Sequence, residues 1–338
     1  MVNIYQARDA AFKLASEKYE AGKSVYTLFS PIYIAATSNV TSTVDLYKDY
    51  NSVLSVGGTG AHGFEVALNG AKKVDLFDAN YLQKLYFEYM KTAVMYLDYE
   101  TFVKHFTLQV QRKIFKKSEI RDLLSNELYD KLVYYLPEDV ETVFTSLYDW
   151  FDSTDLILSS LFRFEHFITL DYLKKNISFY NEEQYYELQK ILRAGSCEFN
   201  YETLSLVDVP KHFQTGYDLI ILDNILQYYK NIPGLDDPYL VNMFIRKKLS
   251  NLLVDNGQIQ VNYGFEVATD AFREKFKIPY NKEHLDFYRK FQLQEEMKKG
   301  INIPLVEKWD DYTYSFVSGV ERIQGGKSDN LVLSYRKK

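Results

Sequence analysis

Apolar positions along the chain fall into short continuous runs, alternating runs and helically spaced runs, and their order outlines a fold. Val53-Leu54-Ser55-Val56 is an apolar, strand-like run, and Val74 to Phe77 is a second that ends on Asp78. Between them Ala61 to Leu68 has helical spacing and stops at Asn69-Gly70. Tyr217-Asp218-Leu219-Ile220-Ile221-Leu222-Asp223-Asn224 is almost continuously apolar before its polar end, the pattern of a parallel strand covered on both faces. Tyr239 to Leu253 predicts a helix closed by a turn at Asp255-Asn256-Gly257, and Gln258 to Tyr263 alternates as a strand. Tyr314–Val320 and Leu331–Tyr335 predict two final strands joined around Gly325-Gly326.

Strands separated by helices predict an α/β protein with a mainly parallel, Rossmann-like sheet that ends in an antiparallel pair. Residues 1–50 read as a helical N-terminal extension broken at Ser30-Pro31. The α/β domain spans 51–338, with a helical insertion at about 100–190 expected to pack over the carboxyl ends of the strands. A charged helical stretch is expected over Phe265–Leu305.

The turn after the first strand is rich in glycine: Gly57-Gly58-Thr59-Gly60. Glycines let a backbone turn sharply and approach a ligand closely. Asp78 follows Gly57 by about 20 residues, the spacing of a ribose-holding acid in nucleoside-binding α/β units. Gly58-Thr59-Gly60-Ala61-His62-Gly63 also fits the dinucleotide pattern G-x-G-x-x-G, so this stretch alone leaves NAD(P) and S-adenosylmethionine open. Open α/β sheets bind ligands beyond the carboxyl ends of their strands. Loops 57–63, 78–82, 200–204 and 223–229 are therefore expected to converge.

The order of the later elements resembles the class I S-adenosylmethionine-dependent methyltransferase fold, over residues 51–99 and about 195–338. That fold has a fourth strand like Tyr217-Asp218-Leu219-Ile220, a following helix with a glycine turn, and a terminal antiparallel pair. Three segments narrow the resemblance: Val53–Gly60 with Asp78-Ala79-Asn80, Tyr96–Phe102, and Phe179–Leu188. They resemble the S-adenosylmethionine:diacylglycerol 3-amino-3-carboxypropyl transferases of betaine-lipid synthesis, as a divergent relative. The tryptophan-acid signature ahead of the first strand is missing, since Asn39–Tyr50 reads NVTSTVDLYKDY.

The resemblance implies an S-adenosylmethionine-dependent transferase moving a methyl or 3-amino-3-carboxypropyl group to a small-molecule or lipid-like acceptor. Gly57, Gly58, Thr59 and Gly60 would lie against the methionine part of the cofactor, and Asp78 with Ala79 at its ribose. Glu202 would sit near the adenine, and Asp223 and Asn224 near the cofactor amino group or the acceptor. His62, Tyr228 and Tyr229 are the candidates on the acceptor side. The alternatives are an NAD(P)-dependent oxidoreductase and a non-catalytic S-adenosylmethionine-binding protein.

Composition narrows the partners. A net charge of −6 gives no global attraction for nucleic acid or an anionic membrane. Cys197 is the sole cysteine, which excludes an intrachain disulfide and a thiolate metal cluster. The five histidines make no zinc-type spacing, so no metal is expected. The N-terminus lacks the apolar core of a secretory signal and no run is long enough to span a bilayer, which leads to the expectation of a cytoplasmic protein. The chain has 30 tyrosines and 23 phenylalanines, and the many between 99 and 186 recur at helical spacing, as packing residues of a helical core do. Oligomeric state is not legible.

Overall fold

A computed structural model describes residues 3–18, 28–36, 38–46, 50–107, 123–163, 170–223, 225, 232–236, 238–263, 313–321 and 327–337. The N-terminal elements are α1 (Ile4–Ser16), β1 (Ile32–Tyr33) and α2 (Val40–Val44). The first half of the sheet follows as β2 (Ser52–Val56), α3 (Ala61–Leu68), β3 (Lys73–Asp78) and α4 (Tyr81–Tyr96). Next come α5 (Tyr99–Phe106), α6 (Asn126–Asp130), α7 (Glu138–Trp150), α8 (Ser153–Leu158), β4 (Phe162–Arg163), α9 (Leu170–Asn176) and α10 (Glu182–Ala194). The remaining elements are β5 (Glu198–Thr203), α11 (Val209–His212), β6 (Tyr217–Asp223), α12 (Pro238–Lys247), β7 (Leu253–Tyr263), β8 (Thr313–Glu321) and β9 (Lys327–Arg336).

The main sheet has seven strands in the order β5-β3-β2-β6-β7-β9-β8. Strands β5, β3, β2, β6 and β7 are parallel, and β9 runs antiparallel between β7 and β8. The predicted Rossmann-like sheet with a terminal antiparallel pair is therefore the observed fold. Its apolar strands serve two cores. Val53, Leu76 and Ile221 face the layer containing α1, α3, α4 and α10. Leu54, Phe77 and Ile220 face the layer containing α12. A strand buried on both faces needs both sets of apolar residues, which explains the unbroken runs in the sequence.

Local chemistry sets the element ends. Asn80 caps α4 by accepting from the Leu82 amide at 3.1 Å, and Asp98 caps α5 by accepting from Thr101 at 2.9 Å. Gly195, at φ 61°, closes α10 in the left-handed conformation. Two boundaries differ from the sequence reading. The helix expected over Tyr239–Leu253 ends at Lys247, and β7 already starts at Leu253. Asp255-Asn256-Gly257 is an irregularity inside that strand rather than a turn before it. Asn256 takes φ 64°, and the β6–β7 register shifts between Tyr217 and Leu219. The stretch Phe265–Leu305 and the loop around Gly325-Gly326 lie outside the described residues.

The described helices between α4 and β5 share the core of the sheet. The two family-like segments meet there. Tyr99 donates its hydroxyl to the Tyr180 carbonyl at 2.7 Å, and the Phe102 and Tyr185 rings lie 5.0 Å apart. Phe179 then packs on Phe64 of α3 at 5.3 Å, behind the glycine turn.

Residues 28–36 and 38–44 are stitched to residues at and just past the carboxyl ends of the strands. The Asn80 amide donates to the Ser30 carbonyl at 2.9 Å. Gln83 accepts from the Tyr33 amide at 2.8 Å and donates to the Tyr33 carbonyl at 2.9 Å. Tyr86 donates to the Ile34 carbonyl at 3.2 Å. Further on, Ser38 reaches Asp223 at the end of β6, and Thr43 receives a bond from Gln260 of β7. These residues thus run past the carboxyl ends of β3, β6 and β7. No helix among the described residues is long and apolar enough to cross a membrane.

Candidate functional site

The three loop glycines serve different ends. A Cβ on Gly57 would sit 2.2 Å from the Tyr201 hydroxyl oxygen, and one on Gly60 would sit 2.2 Å from Phe87 Cδ2. Both are small because aromatic side chains of this chain press against them. Gly58, at φ +42°, faces open space, with no atom within 4 Å of its virtual Cβ. It is the position where a ligand can reach the backbone. Thr59 is buried and accepts from the Ala61 amide at 3.4 Å, inside the turn.

Asp78 is joined to this turn directly. Its Oδ2 accepts from the Gly58 amide at 3.1 Å and its Oδ1 from the Asn80 amide at 2.9 Å. Burial pushes its pKa up, while the amides of Asn80, Gly58 and Ala79 oppose the rise. Its carboxylate oxygens each have further lone pairs, so these bonds leave acceptor capacity for a ribose. Ala79 is exposed at the rim.

Glu202 is placed differently from the sequence reading. The expected loop at 200–204 is strand as far as Thr203, and Glu202 pairs with Phe77 within the sheet. Its side chain is half-exposed, with Oε1 3.8 Å from His212 Nε2. Tyr201, one residue earlier, reaches the glycine turn instead, with its hydroxyl 3.5 Å from the Gly58 carbonyl. Burial, with Asp78 nearby, raises the Tyr201 pKa well above the usual phenol value, so Tyr201 stays a neutral donor there.

His62, the second residue of α3, points toward the end of β6. Its Nδ1 lies 3.8 Å from Asp223 Oδ2. Its Nε2 is buried and has no hydrogen-bond partner. Such an orphaned group costs about 1–3 kcal/mol. Desolvation lowers the His62 pKa and outweighs the opposing pull of Asp223, so the imidazole is neutral at pH 7. Asp223 also accepts from Asn262 Nδ2 at 3.3 Å and from Ser38 Oγ at 3.5 Å, and its side chain is 19 % exposed. Gln260 Nε2 extends this network to Asn262 Oδ1 at 2.8 Å and to the Thr43 carbonyl at 3.3 Å.

The structure thus joins Gly58 to Asp78 and His62 to Asp223. Asn224, Tyr228 and Tyr229 lie outside the described residues. Sequence reasoning missed Tyr201, Phe87, Ser38, Gln260 and Asn262. One signal was present: Gln260 and Asn262 are the polar half of an alternating strand, which ordinarily faces water. Both are buried, at 0 % and 1 % exposure.

No protein-family model matches the chain, and no curated protein matches it. Among solved structures it is similar to the N-methyltransferase NodS from Bradyrhizobium japonicum WM9 in complex with S-adenosyl-L-homocysteine. That match has 10% identity and a TM-score of 0.31, covering 88% of this chain and 83% of that one. A SAM-dependent methyltransferase from Methanosarcina mazei matches at 12% identity and TM-score 0.33, covering 86% and 93%. The rRNA methyltransferase aviRa from Streptomyces viridochromogenes matches at 10% identity and TM-score 0.35, covering 99% and 85%. At these scores none of the likenesses bears on what this chain does.

Proposed function

We propose that the chain is an S-adenosylmethionine-dependent transferase. The observation that carries this reading is the open face at Gly58 with Asp78 bonded beside it, at the carboxyl ends of the adjacent parallel strands β2 and β3. Gly57, Gly58, Thr59 and Gly60 would follow the methionine portion of the cofactor, and Asp78 and Ala79 the ribose. Glu202 would stand farther out on the adenine side. Asp223 and Asn224 would lie near the cofactor amino group or the acceptor, and Tyr228 and Tyr229 would shape the acceptor pocket.

A bound sulfonium supplies the driving force, because it makes the carbons attached to sulfur electrophilic. The protein orients the nucleophile and keeps water out. Attack on the methyl carbon transfers methyl and leaves S-adenosylhomocysteine. Attack on the γ-carbon transfers 3-amino-3-carboxypropyl and leaves methylthioadenosine. The segments Tyr96–Phe102 and Phe179–Leu188 support the second outcome and a lipid-like acceptor through their family resemblance alone, since Tyr99, Phe102, Phe179, Tyr180 and Tyr185 are packed in the core. Both transfers therefore stay within the proposal.

Calorimetry with S-adenosylmethionine, S-adenosylhomocysteine and NADH tests the cofactor. Binding of the sulfur nucleosides without NADH is expected; NADH binding with neither nucleoside overturns the reading in favour of an oxidoreductase. Mass analysis of the sulfur product after turnover with a cell extract as acceptor source then identifies the transferred group. Methylthioadenosine marks γ-carbon attack and S-adenosylhomocysteine marks methyl transfer.

A further inference from the structure

The end of β6 holds a carboxylate with neutral partners. Asp223 meets Ser38 Oγ at 3.5 Å, Asn262 Nδ2 at 3.3 Å and His62 Nδ1 at 3.8 Å. These contacts lie at or beyond the long end of hydrogen-bond lengths. Among the described residues no lysine or arginine pairs with it. An uncompensated, partly reachable carboxylate favours a cationic donor over a neutral hydroxyl and disfavours an anion. Beside it, the neutral imidazole of His62 uses Nδ1–H toward Asp223 and leaves Nε2 as a buried acceptor without a donor. Among the described residues, what this carboxylate lacks is a positively charged group that carries an N–H.

We propose that Asp223 and His62 form the acceptor subsite of the transferase, and that the acceptor is a primary or secondary amine, bound as its ammonium. This inference rests on the S-adenosylmethionine reading and adds the substrate class. The ammonium binds at Asp223 and passes one proton to that carboxylate. The freed nitrogen lone pair attacks the sulfonium-bound carbon. The new N–C bond forms as the C–S bond breaks, and the sulfur keeps that electron pair as a neutral thioether. The product leaves as an ammonium and the proton rests on Asp223, beside His62 Nδ1. Ammonium, sulfonium and carboxylate carry one net positive charge before the step, and the product ammonium carries the same charge after it. A desolvated site gains from such conservation, because no net charge is created or lost inside it.

Three cofactor analogues test this. In each, nitrogen replaces the sulfur of S-adenosylhomocysteine and bears a two-carbon arm ending in –NH3+, –N(CH3)3+ or –OH. Calorimetry on the full chain is expected to show the –NH3+ arm binding about tenfold or more tighter than the –OH arm, the scale of a hydrogen bond to a charged group. Asp223→Asn should erase that preference. His62→Phe should reduce but not erase the advantage of –NH3+ over –N(CH3)3+, because it removes the imidazole beside Asp223 while the N–H bond to the carboxylate remains. Equal or tighter binding of the –OH arm overturns the proposal while the cofactor reading stands. So does an equal loss of S-adenosylhomocysteine and all three analogues in Asp223→Asn, which would place the cofactor's own amino group at Asp223. Failure of the unaltered chain to bind S-adenosylhomocysteine at all overturns the cofactor reading itself, and the amine subsite with it.

Discussion

His62 and His105 are both buried, both neutral and each left with one unpartnered ring nitrogen, yet their surroundings differ. His105 sits in an aromatic core. Its Nε2 meets the Tyr89 hydroxyl, and the Phe106 ring lies 4.8 Å away. Tyr89 in turn stands 3.3 Å from the Tyr148 hydroxyl, and desolvation alone accounts for the lowered pKa of His105. His62 instead faces a carboxylate that solvent reaches, in a wall of Ser38, Gln260 and Asn262. Burial is thus no mark of function. What separates the two is the reachable charge beside one of them and its closeness in sequence to a backbone position open to a ligand.

The glycine turn repeats the contrast within four residues, and here the largest effects are expected. Gly60→Ala would drive a Cβ into the Phe87 ring and hold alanine at φ +79°. Overpacking and left-handed strain together should cost about 3 kcal/mol or more. Gly58→Ala meets no atom and carries only the strain of φ +42°, about 1–2 kcal/mol. It should nevertheless weaken S-adenosylhomocysteine binding, because its methyl projects into the open face. Urea denaturation with calorimetry separates the two. Equal stability losses would break the comparison.

Acid provides the next effect. An unfolded histidine takes up a proton near 6.5, whereas His105 in the fold does so only at about 3. The unfolded chain therefore holds the extra proton between those values. Stability is full above pH 6.5 and falls as pH drops toward 3, by about 1.4 kcal/mol per unit in mid-window. His62 adds to the loss in the same direction. Asp78 and Glu65 act oppositely, because their raised pKa values make the folded chain the better proton binder as pH falls. Comparing His105→Gln with the unaltered chain isolates the first contribution. Glutamine can keep a bond to Tyr89 without titrating, so its stability should fall less steeply below pH 6. Parallel pH curves for the two proteins would refute the assignment.

At the ligand end, Asp78→Ala should weaken S-adenosylhomocysteine binding by roughly 1–3 kcal/mol, the scale of hydrogen bonds to a charged group. Unchanged affinity would remove the ribose role. The variant also loses the bond that ties Gly58 to β3, so Asp78→Asn is the better control for the turn.

Much of this frame was legible locally. Val53–Val56 and Tyr217–Asp223 announce strands because sheet burial on two faces demands unbroken apolar runs. The turn and its acid are legible because a sharp backbone bend needs glycine in the sequence itself. The polar wall around Asp223 was not. Ser38 and Asp223 lie 185 residues apart, and Thr43 and Gln260 lie 217 apart, so no local period records their meeting. The loop expected at 200–204 proved to be strand for a related reason. Glu198-Phe199-Asn200-Tyr201-Glu202-Thr203 carries few apolar residues for a strand, and its pairing with β3 supplies what its own pattern lacks.

The smallest expected effect discriminates best between the two histidines. His62→Phe removes a buried nitrogen that has no partner, and phenylalanine fills a similar shape, so stability at pH 7 should change by less than about 1 kcal/mol in either direction. His105→Phe also removes an orphaned nitrogen, but it takes a partner from Tyr89. That hydroxyl keeps Tyr148 at 3.3 Å, which limits the loss to about 1–2 kcal/mol. Function should run the other way, with S-adenosylhomocysteine and amine-arm analogues binding unchanged to His105→Phe. If His62→Phe proves the more destabilising of the two and leaves analogue binding intact, the imidazole at the head of α3 is a packing residue like its counterpart in the aromatic core. The polar wall around Asp223 would then serve only to hold residues 28–36 and 38–44 against the sheet.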